Sequence, residues 1–291
     1  MVKVLAPAKI NFTLDITGKL DNGYHTVDMV MQSVNLFDEV TVEVDKGSEI
    51  TLTCNKEDIP CNSSNTAYKA VQLFAEKTGL SFGAKVHIEK HIPAQAGLAG
   101  GSTDSAAVLV ALNKIFNTQL TIDQLAEIGA KIGADVPFCL YGGTMLATGI
   151  GTDLKKIPHS FPFKDYYILL CKPNINVSTP QAYKLSDSRA YSNVVHSTAV
   201  ISSLEDNNIS EFCNGLYNDF DSLLMLEQVQ QIKADMLKSG ALSAVMSGSG
   251  PTVYGIFNDI EKANLALKDL EQQYKDVYIT QCCDYGCIVA E

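Results

Sequence analysis

The spacing of apolar and polar positions changes several times along the chain, and each change marks an element. Residues 2–5 form a short apolar run that reads as a strand, and Phe12-Thr13-Leu14-Asp15-Ile16-Thr17 alternates, as a half-buried strand does. A polar turn follows, Lys19-Leu20-Asp21-Asn22-Gly23-Tyr24-His25, with Asn-Gly at its centre. Runs 27–36, 39–44 and 50–53 then read as three more strands. Ala67, Ala70, Val71, Phe74 and Ala75 recur at helical spacing, between Asn65 as the opening residue and Gly79 as the stop. Alternation returns over 84–90, with Val86 and Ile88 on one face.

The next helical run, 106–116, is entered through a loop of small residues, Ile92-Pro93-Ala94-Gln95-Ala96-Gly97-Leu98-Ala99-Gly100-Gly101. Ser102, Thr103 and Asp104 are good N-caps and are expected to start the helix. Thr121 with Gln124 makes a capping box for a helix burying Leu125 and Ile128. Gly142-Gly143 reads as an ordinary turn before a strand at 144–148. The stretch 152–164, with Pro158 and Pro162, looks like a connection between two halves. The second half reads strand (166–171), short helix (about 180–185) and helical material through 238. It closes with strands at 242–246 and 252–257, a helix at 260–274 and a strand at 276–280. That order predicts an α+β unit with helices on one face of an antiparallel sheet. The stretch 187–208 is open between an ordered connection and a lid.

Composition narrows the chemistry. The net charge of −11 argues against a nucleic-acid surface, and Arg189 is the only arginine in 291 residues. Phosphate, if bound, must therefore be met by lysine, backbone N–H groups, hydroxyls or a metal. No apolar run approaches the ~20 residues of a membrane span, and the first residues lack a leader's apolar core. The eight cysteines contain no Cys-x-x-Cys pair and read as reduced, mostly buried thiols, so a cytoplasmic setting is expected. Cys282, Cys283 and Cys287 fit no common zinc spacing.

Three places stand out against this background. Gly97, Gly100 and Gly101 allow close backbone approach, and a helix start just behind them suits an anion, above all phosphate. Met246-Ser247-Gly248-Ser249-Gly250-Pro251 is a second small-residue loop, with more glycine and serine than a hairpin requires. Lys9, within Pro7-Ala8-Lys9-Ile10-Asn11, and Asp135, within Ala134-Asp135-Val136-Pro137-Phe138, are charges in small, apolar settings. If they meet, the lysine keeps the aspartate ionised and placed to deprotonate a hydroxyl. The chain has no Gly-x4-Gly-Lys-Ser/Thr, His-Arg-Asp, Asp-Phe-Gly, Gly-x-Gly-x-x-Gly or Gly-x-Ser-x-Gly motif.

Pro7-Ala8-Lys9-Ile10-Asn11, the loop from Pro93 to Asp104, and Met246 to Pro251 together resemble the three motifs of the GHMP kinases, in order and spacing along nearly the whole chain. The resemblance implies an α+β, two-domain fold: an N-terminal α/β kinase domain (1–160) and a C-terminal ferredoxin-like α+β domain (161–291). The active site would lie in the cleft between them. ATP with Mg²⁺ is the implied phosphoryl donor, with Pro93, Ala94, Gln95, Ala96, Gly97, Leu98, Ala99, Gly100, Gly101, Ser102 and Thr103 around it. Asn65 is implied near the adenine, and Gly248, Ser249 and Gly250 near phosphate. Lys9 and Asp135 match the family's catalytic pair, Asp135 as base.

Asp21-Asn22-Gly23-Tyr24-His25 and Gly133-Ala134-Asp135-Val136-Pro137-Phe138 are similar to one branch of that family. The branch phosphorylates the 2-hydroxyl of a cytidine-diphosphate-linked methylerythritol, in the non-mevalonate route to isoprenoid precursors. Its pattern puts Asn11 near the methylerythritol group, Tyr24 and His25 on the cytosine, and Tyr183 as a second aromatic against that base. The chain departs from the pattern at Thr103, where a second serine is usual, and at Ala96 and Ala99, where glycines are common. The metal-binding glutamate known in mevalonate kinase has no counterpart, which leaves Mg²⁺ to ATP oxygens, water and Ser102 or Thr103. A kinase of mevalonate, homoserine or another base-free alcohol is the alternative, and Tyr24-His25 speaks against it. A nucleotide-binding protein without turnover is a third, opposed by the retained Lys9 and Asp135. No nucleic-acid or membrane partner is expected; monomer and homodimer both stay open.

Overall fold

The computed structural model describes residues 1–189, 191 and 194–290. The chain begins with β1 (Val2–Asn11), β2 (Thr13–Lys19), β3 (His25–Asp45) and β4 (Ile50–Cys54), then α1 (Thr66–Thr78) and β5 (Gly83–Glu89). It continues with α2 (Gly100–Phe116), α3 (Ile122–Ala130), α4 (Val136–Tyr141), β6 (Thr144–Thr148) and β7 (Asp153–Lys156). After a 3-10 turn at Phe163–Asp165 come β8 (Tyr167–Lys172), α5 (Thr179–Ser186), α6 (Ser197–Glu205) and α7 (Ile209–Gly215). Next are β9 (Tyr217–Asn218), α8 (Asp219–Leu224), α9 (Glu227–Lys238), β10 (Ser243–Met246), β11 (Val253–Phe257) and α10 (Ile260–Glu271). The tail forms β12 (Asp276–Thr280), β13 (Cys282–Cys283) and β14 (Ile288–Val289).

Two sheets result, and β3 is the spine of the first. It pairs antiparallel with β1, β2, β5, β6 and β13, while β4 joins β5 and β9 joins β2 in parallel. The two runs read as separate strands are therefore one strand of 21 residues. Its continuity depends on a bulge: Pro7 pairs with Phe37 but Ala8 with Val34, so β3 carries two extra residues there. Pro7 has no N–H to donate, which makes this the natural point for the ladder to slip. The expected strand at 2–5 likewise runs on to Asn11 through the same bulge.

The second sheet has the order β10-β11-β8-β12, all antiparallel. Val229, Ile232 and Met236 of α9 and Ala263, Ala266 and Leu270 of α10 cover one face, against Leu169, Cys171, Val253 and Phe257. This is the α+β arrangement that the element order predicts. The opposite face, with Ile168, Leu170, Tyr254 and Ile256, packs on Ala8, Ile10 and Phe12 of β1. Phe12, Phe161, Phe163 and Phe212 meet there at ring separations of 4.8 to 5.8 Å. Each buried ring contributes about 2 kcal/mol of apolar burial, so the halves are joined by an apolar, aromatic seam along β1.

Two local expectations need correcting, at 100–104 and 152–164, and the unassigned stretch 136–141 proves to be ordered. Helix α2 begins at Gly100, not at the Ser-Thr-Asp run; its N-cap is Ala99, in the left-handed region at φ 59°. Residues 136–141 form a helix, with Pro137 in its first turn, where a missing N–H costs nothing. The 152–164 connection contains β7, which pairs with β6. Asn65, Gly79 and the Thr121–Gln124 capping box sit as the pattern predicts. Of the 187–208 stretch, Ala190, Ser192 and Asn193 lie outside the described residues; 197–205 is α6.

Candidate active site

Two residues past the register shift at Pro7 and Ala8, Lys9 pairs with Ser33 of β3 and lies buried beside the seam between the halves. Its side chain is 5% exposed, and its ammonium donates to Asn11 Oδ1 at 2.6 Å. Asn11 is wholly buried: its amide nitrogen also reaches Met29 Sδ at 3.3 Å, and its carbonyl accepts from the Tyr254 hydroxyl at 2.9 Å. In this state Asn11 acts on Lys9.

Beside Lys9 the two small-residue loops meet. The Lys9 N–H donates to Leu98 O at 3.1 Å, and the Ser247 hydroxyl to Gly97 O at 3.0 Å. A Cβ on Gly97, at φ 75°, would lie 2.1 Å from Ser247 O, so only glycine lets the loops touch. A Cβ on Gly248 would stand 3.3 Å from Lys9 Nζ. Asn218 braces the second loop, donating to Met246 O and Gly248 O at 2.6 and 2.9 Å, and Ser249 Oγ lies 2.7 Å from the Thr179 hydroxyl.

Pro93, Ala94, Gln95 and Ala96 lead into this contact, and Gly100 and Gly101 open α2. Asn65 caps α1 alongside, and its neighbour Thr66 donates to Gly101 O at 2.9 Å. Ser102 stays half-buried at the helix mouth. Thr103 is 0% exposed, with its hydroxyl 3.5 Å from Cys287 Sγ, so its side chain faces the core and not the loop.

Behind the loop lies a cluster that the sequence pattern does not announce. Lys90 pairs with both Asp38 and Asp104, the latter at 2.8 Å, with all three side chains buried. The free oxygen of Asp38 accepts from the N–H groups of His91 and Ile92 at 2.7 and 2.8 Å, which fixes the loop's entry. Burial works against the Lys90 ammonium, yet Asp104 and Asp38 outweigh it and lift its pKa above the ordinary lysine value. Burial raises the Asp104 carboxyl to about 8, Lys90 opposing and Asp38 adding to the rise. Asp104 Oδ1 is buried without a hydrogen-bond partner among the described residues.

Asp135 heads α4 and is half-buried. The far end of α4 is held by the chain's tail: Cys287 N donates to Cys139 O at 2.9 Å. A Cβ on Gly142 would fall 2.0 Å from Gly286 N, so the supposed ordinary turn is the seat of that tail. Lys9 and Asp135 form no ion pair within 4.0 Å; both still act on one buried thiol. Burial pushes Cys139 well above the usual thiol value, Cys287 and Asp135 add to this, and Lys9 opposes it. Asp135 also raises the Tyr183 phenol, after the larger effect of burial.

Tyr183 leads to His25. The rings stack at 5.0 Å and 26°, and Tyr183 stands edge-on to Phe220 at 4.9 Å. His25 Nε2 lies 2.7 Å from Asp187 Oδ1, while Lys19 holds Asp187 Oδ2 at 2.5 Å. Those hydrogen bonds, from Lys19 first and then His25, hold the Asp187 carboxyl down at about 2. Tyr24, at the hairpin tip, is 62% exposed. Asp187 and Lys19 are members of this cluster that motif reading misses; the short, loose segment after Tyr183 gives no spacing that points to them.

Family models agree with this geometry. The description "GHMP kinases N terminal domain" matches residues 65–143, and "GHMP kinases C terminal" matches 200–276. The chain belongs to the GHMP kinases. More particularly, it is 41% identical over 284 residues to a 4-diphosphocytidyl-2-C-methyl-D-erythritol kinase of Clostridium perfringens, covering 96% of this chain and 98% of the relative. A protein of the same name from Thermoanaerobacter pseudethanolicus is 39% identical, over 98% and 97%. A solved 4-(cytidine 5'-diphospho)-2C-methyl-D-erythritol kinase superposes with a TM-score of 0.80 at 25% identity, over 96% and 98% of the two chains. A homoserine kinase from Cytophaga hutchinsonii reaches the same 0.80 at 21% identity, over 99% and 97%, so the backbone alone does not select the alcohol.

Proposed function

We propose that the chain transfers the γ-phosphoryl group of ATP to the 2-hydroxyl of 4-diphosphocytidyl-2-C-methyl-D-erythritol, as a cytoplasmic enzyme of isoprenoid precursor synthesis. The observations that carry this reading are the Lys9 ammonium, buried where the two small-residue loops meet, and the stacked pair Tyr183 and His25. A kinase of base-free alcohols has no use for that last aromatic pair. The division near residue 160 separates the domain that carries Lys9, the first loop and Asp135 from the domain that carries Tyr183 and the second loop.

The roles follow from charge and position. The loop N–H groups of 94–101 and the start of α2 take the ATP phosphates, with Asn65 beside the adenine and Gly248, Ser249 and Gly250 closing over phosphate. Lys9, whose partner in the fold is a neutral amide, meets the charge on the transferring group. Asp135 takes the proton of the 2-hydroxyl as its oxygen bonds to the γ-phosphorus, and the bond to the ADP oxygen breaks. Tyr24, His25 and Tyr183 hold the cytosine, and Asn11 sets Lys9 while lying close to the methylerythritol group. Among the described residues no group of three carboxylate, histidine or cysteine side chains could hold a metal. Mg²⁺ would be held mainly through phosphate oxygens and water, with the Ser102 hydroxyl as the side-chain oxygen at the helix mouth. When bound it neutralises phosphate charge.

The test is direct: incubate the purified protein with ATP and the cytidine-linked substrate, with mevalonate and homoserine as controls. Phosphorylation of the first and not of the controls is expected; transfer to a control alone overturns the assignment. Asp135→Asn should lower turnover by roughly two to four orders of magnitude with ATP binding intact. Near-normal turnover in that variant would remove Asp135 from the role of base.

A further inference from the structure

The cluster around His25 contains more order than base stacking needs. The imidazole is held between Tyr183, stacked at 5.0 Å, and Tyr191, edge-on at 6.3 Å, and its side chain is almost fully buried. One ring nitrogen, Nε2, lies 2.7 Å from the Asp187 carboxylate. The second Asp187 oxygen is held by Lys19, and Tyr191 OH reaches the first at 3.3 Å, so the carboxylate cannot swing away without giving up three contacts. The other ring nitrogen, Nδ1, has no hydrogen-bond partner among the described residues.

A carboxylate accepts and never donates, so it selects the tautomer that carries its proton on Nε2. The free Nδ1 is then an acceptor only. Cytosine carries an amino donor where uracil carries a carbonyl oxygen, and these are the two bases that an acceptor at this point separates most sharply. Resting on the reading of His25 as a cytosine contact, we propose that Asp187 is the specificity-determining positioning residue of this site: by fixing the His25 tautomer, it makes the kinase select cytosine over uracil. Binding that leaves a buried acceptor facing an acceptor loses far more than one hydrogen bond, which is what gives such a contact its discriminating power.

The experiment compares the wild type, Asp187→Ala and His25→Ala with the cytidine-linked substrate and its uridine-linked counterpart, and reads the His25 ring nitrogens by ¹⁵N NMR in the ligand-free protein. The wild type is expected to show the Nε2–H tautomer and to prefer the cytidine substrate in kcat/KM. Asp187→Ala should populate both tautomers and reduce that preference at least tenfold, mainly through KM, with the KM for ATP unchanged. A merely structural latch would weaken both substrates equally and leave the preference intact; that result overturns the proposal. So does a wild-type ring found protonated on both nitrogens at neutral pH. If His25→Ala itself keeps the full preference, the assignment of the cytosine site fails and the proposal falls with it. If His25→Ala loses the preference and Asp187→Ala keeps it, the proposal fails alone.

Discussion

Lys9 and Lys90 are the two lysines that the fold buries among the described residues, at 5% and 4% exposure, and their surroundings are opposite. Lys90 is enclosed by two carboxylates, one of which also ties down the entry to the first loop. Lys9 has a neutral amide, and beyond it the space where two loops meet. A buried charge matched within the protein serves the architecture, since removing it strands its partners. A buried charge left with a neutral partner is held ready for an anion brought from outside. The same residue type, buried to the same degree, thus divides between frame and chemistry by the charge of its neighbours.

The largest stability effect should come from the frame. Lys90→Met leaves Asp38 and Asp104 facing each other in the interior and should cost about 3–5 kcal/mol in urea unfolding. A loss below about 1 kcal/mol would mean that the cluster is not the anchor described here.

A smaller effect separates the two carboxylates. With its carboxyl raised to about 8, Asp104 keeps in the folded state a proton that an ordinary aspartate releases, so Asp104→Asn should match the wild type within about 1 kcal/mol near pH 3.8 and be the more stable of the two at neutral pH. The sign is specific. Between the ordinary aspartate value of 3.8 and about 8, the folded state holds a proton that the unfolded state has released. Wild-type stability therefore falls across that window relative to Asp104→Asn, and the difference levels off above it. A difference that grows in favour of the wild type as pH rises would contradict the protonated carboxyl.

The smallest effect concerns Ala99. Its left-handed φ of 59° costs an alanine roughly 1–2 kcal/mol, against the ~0.5–1 kcal/mol of extra chain entropy that glycine loses. Ala99→Gly should therefore stabilise by about 0.5 kcal/mol in urea unfolding. A clear loss of stability would show that Ala99 is held by packing on its Cβ.

These contrasts also show how much of the molecule its sequence reveals. Lys9 is legible because every neighbour in Pro7-Ala8-Lys9-Ile10-Asn11 is small or apolar except Asn11, so the charge has no local reason to be there. Lys90 ends an ordinary alternating strand, and its partners lie 52 and 14 residues away, a relation that only the tertiary fold creates. Ser102, Thr103 and Asp104 have the chemistry of caps, but Asp104 is engaged by Lys90 and Thr103 by the core beside Cys287, so the helix starts earlier. Helix α4 is too short for a helical period to show, and β3 conceals its continuity because a two-residue bulge looks like a turn between strands. β13 and β14 have two residues each and exist only because the tail returns to the first sheet. Long periodic elements and glycine loops can be read locally; bulges, short returns and charge clusters closed from distant segments cannot.

The contrast between the two lysines rests most directly on the phosphoryl-transfer rate of Lys9→Met, measured with ATP and the cytidine-linked substrate on protein whose unfolding midpoint is recorded alongside. Turnover is expected to fall by roughly two to three orders of magnitude, with the midpoint equal to or above that of the wild type. Turnover within tenfold of wild type in a folded variant, or a loss that only follows unfolding, would contradict the account.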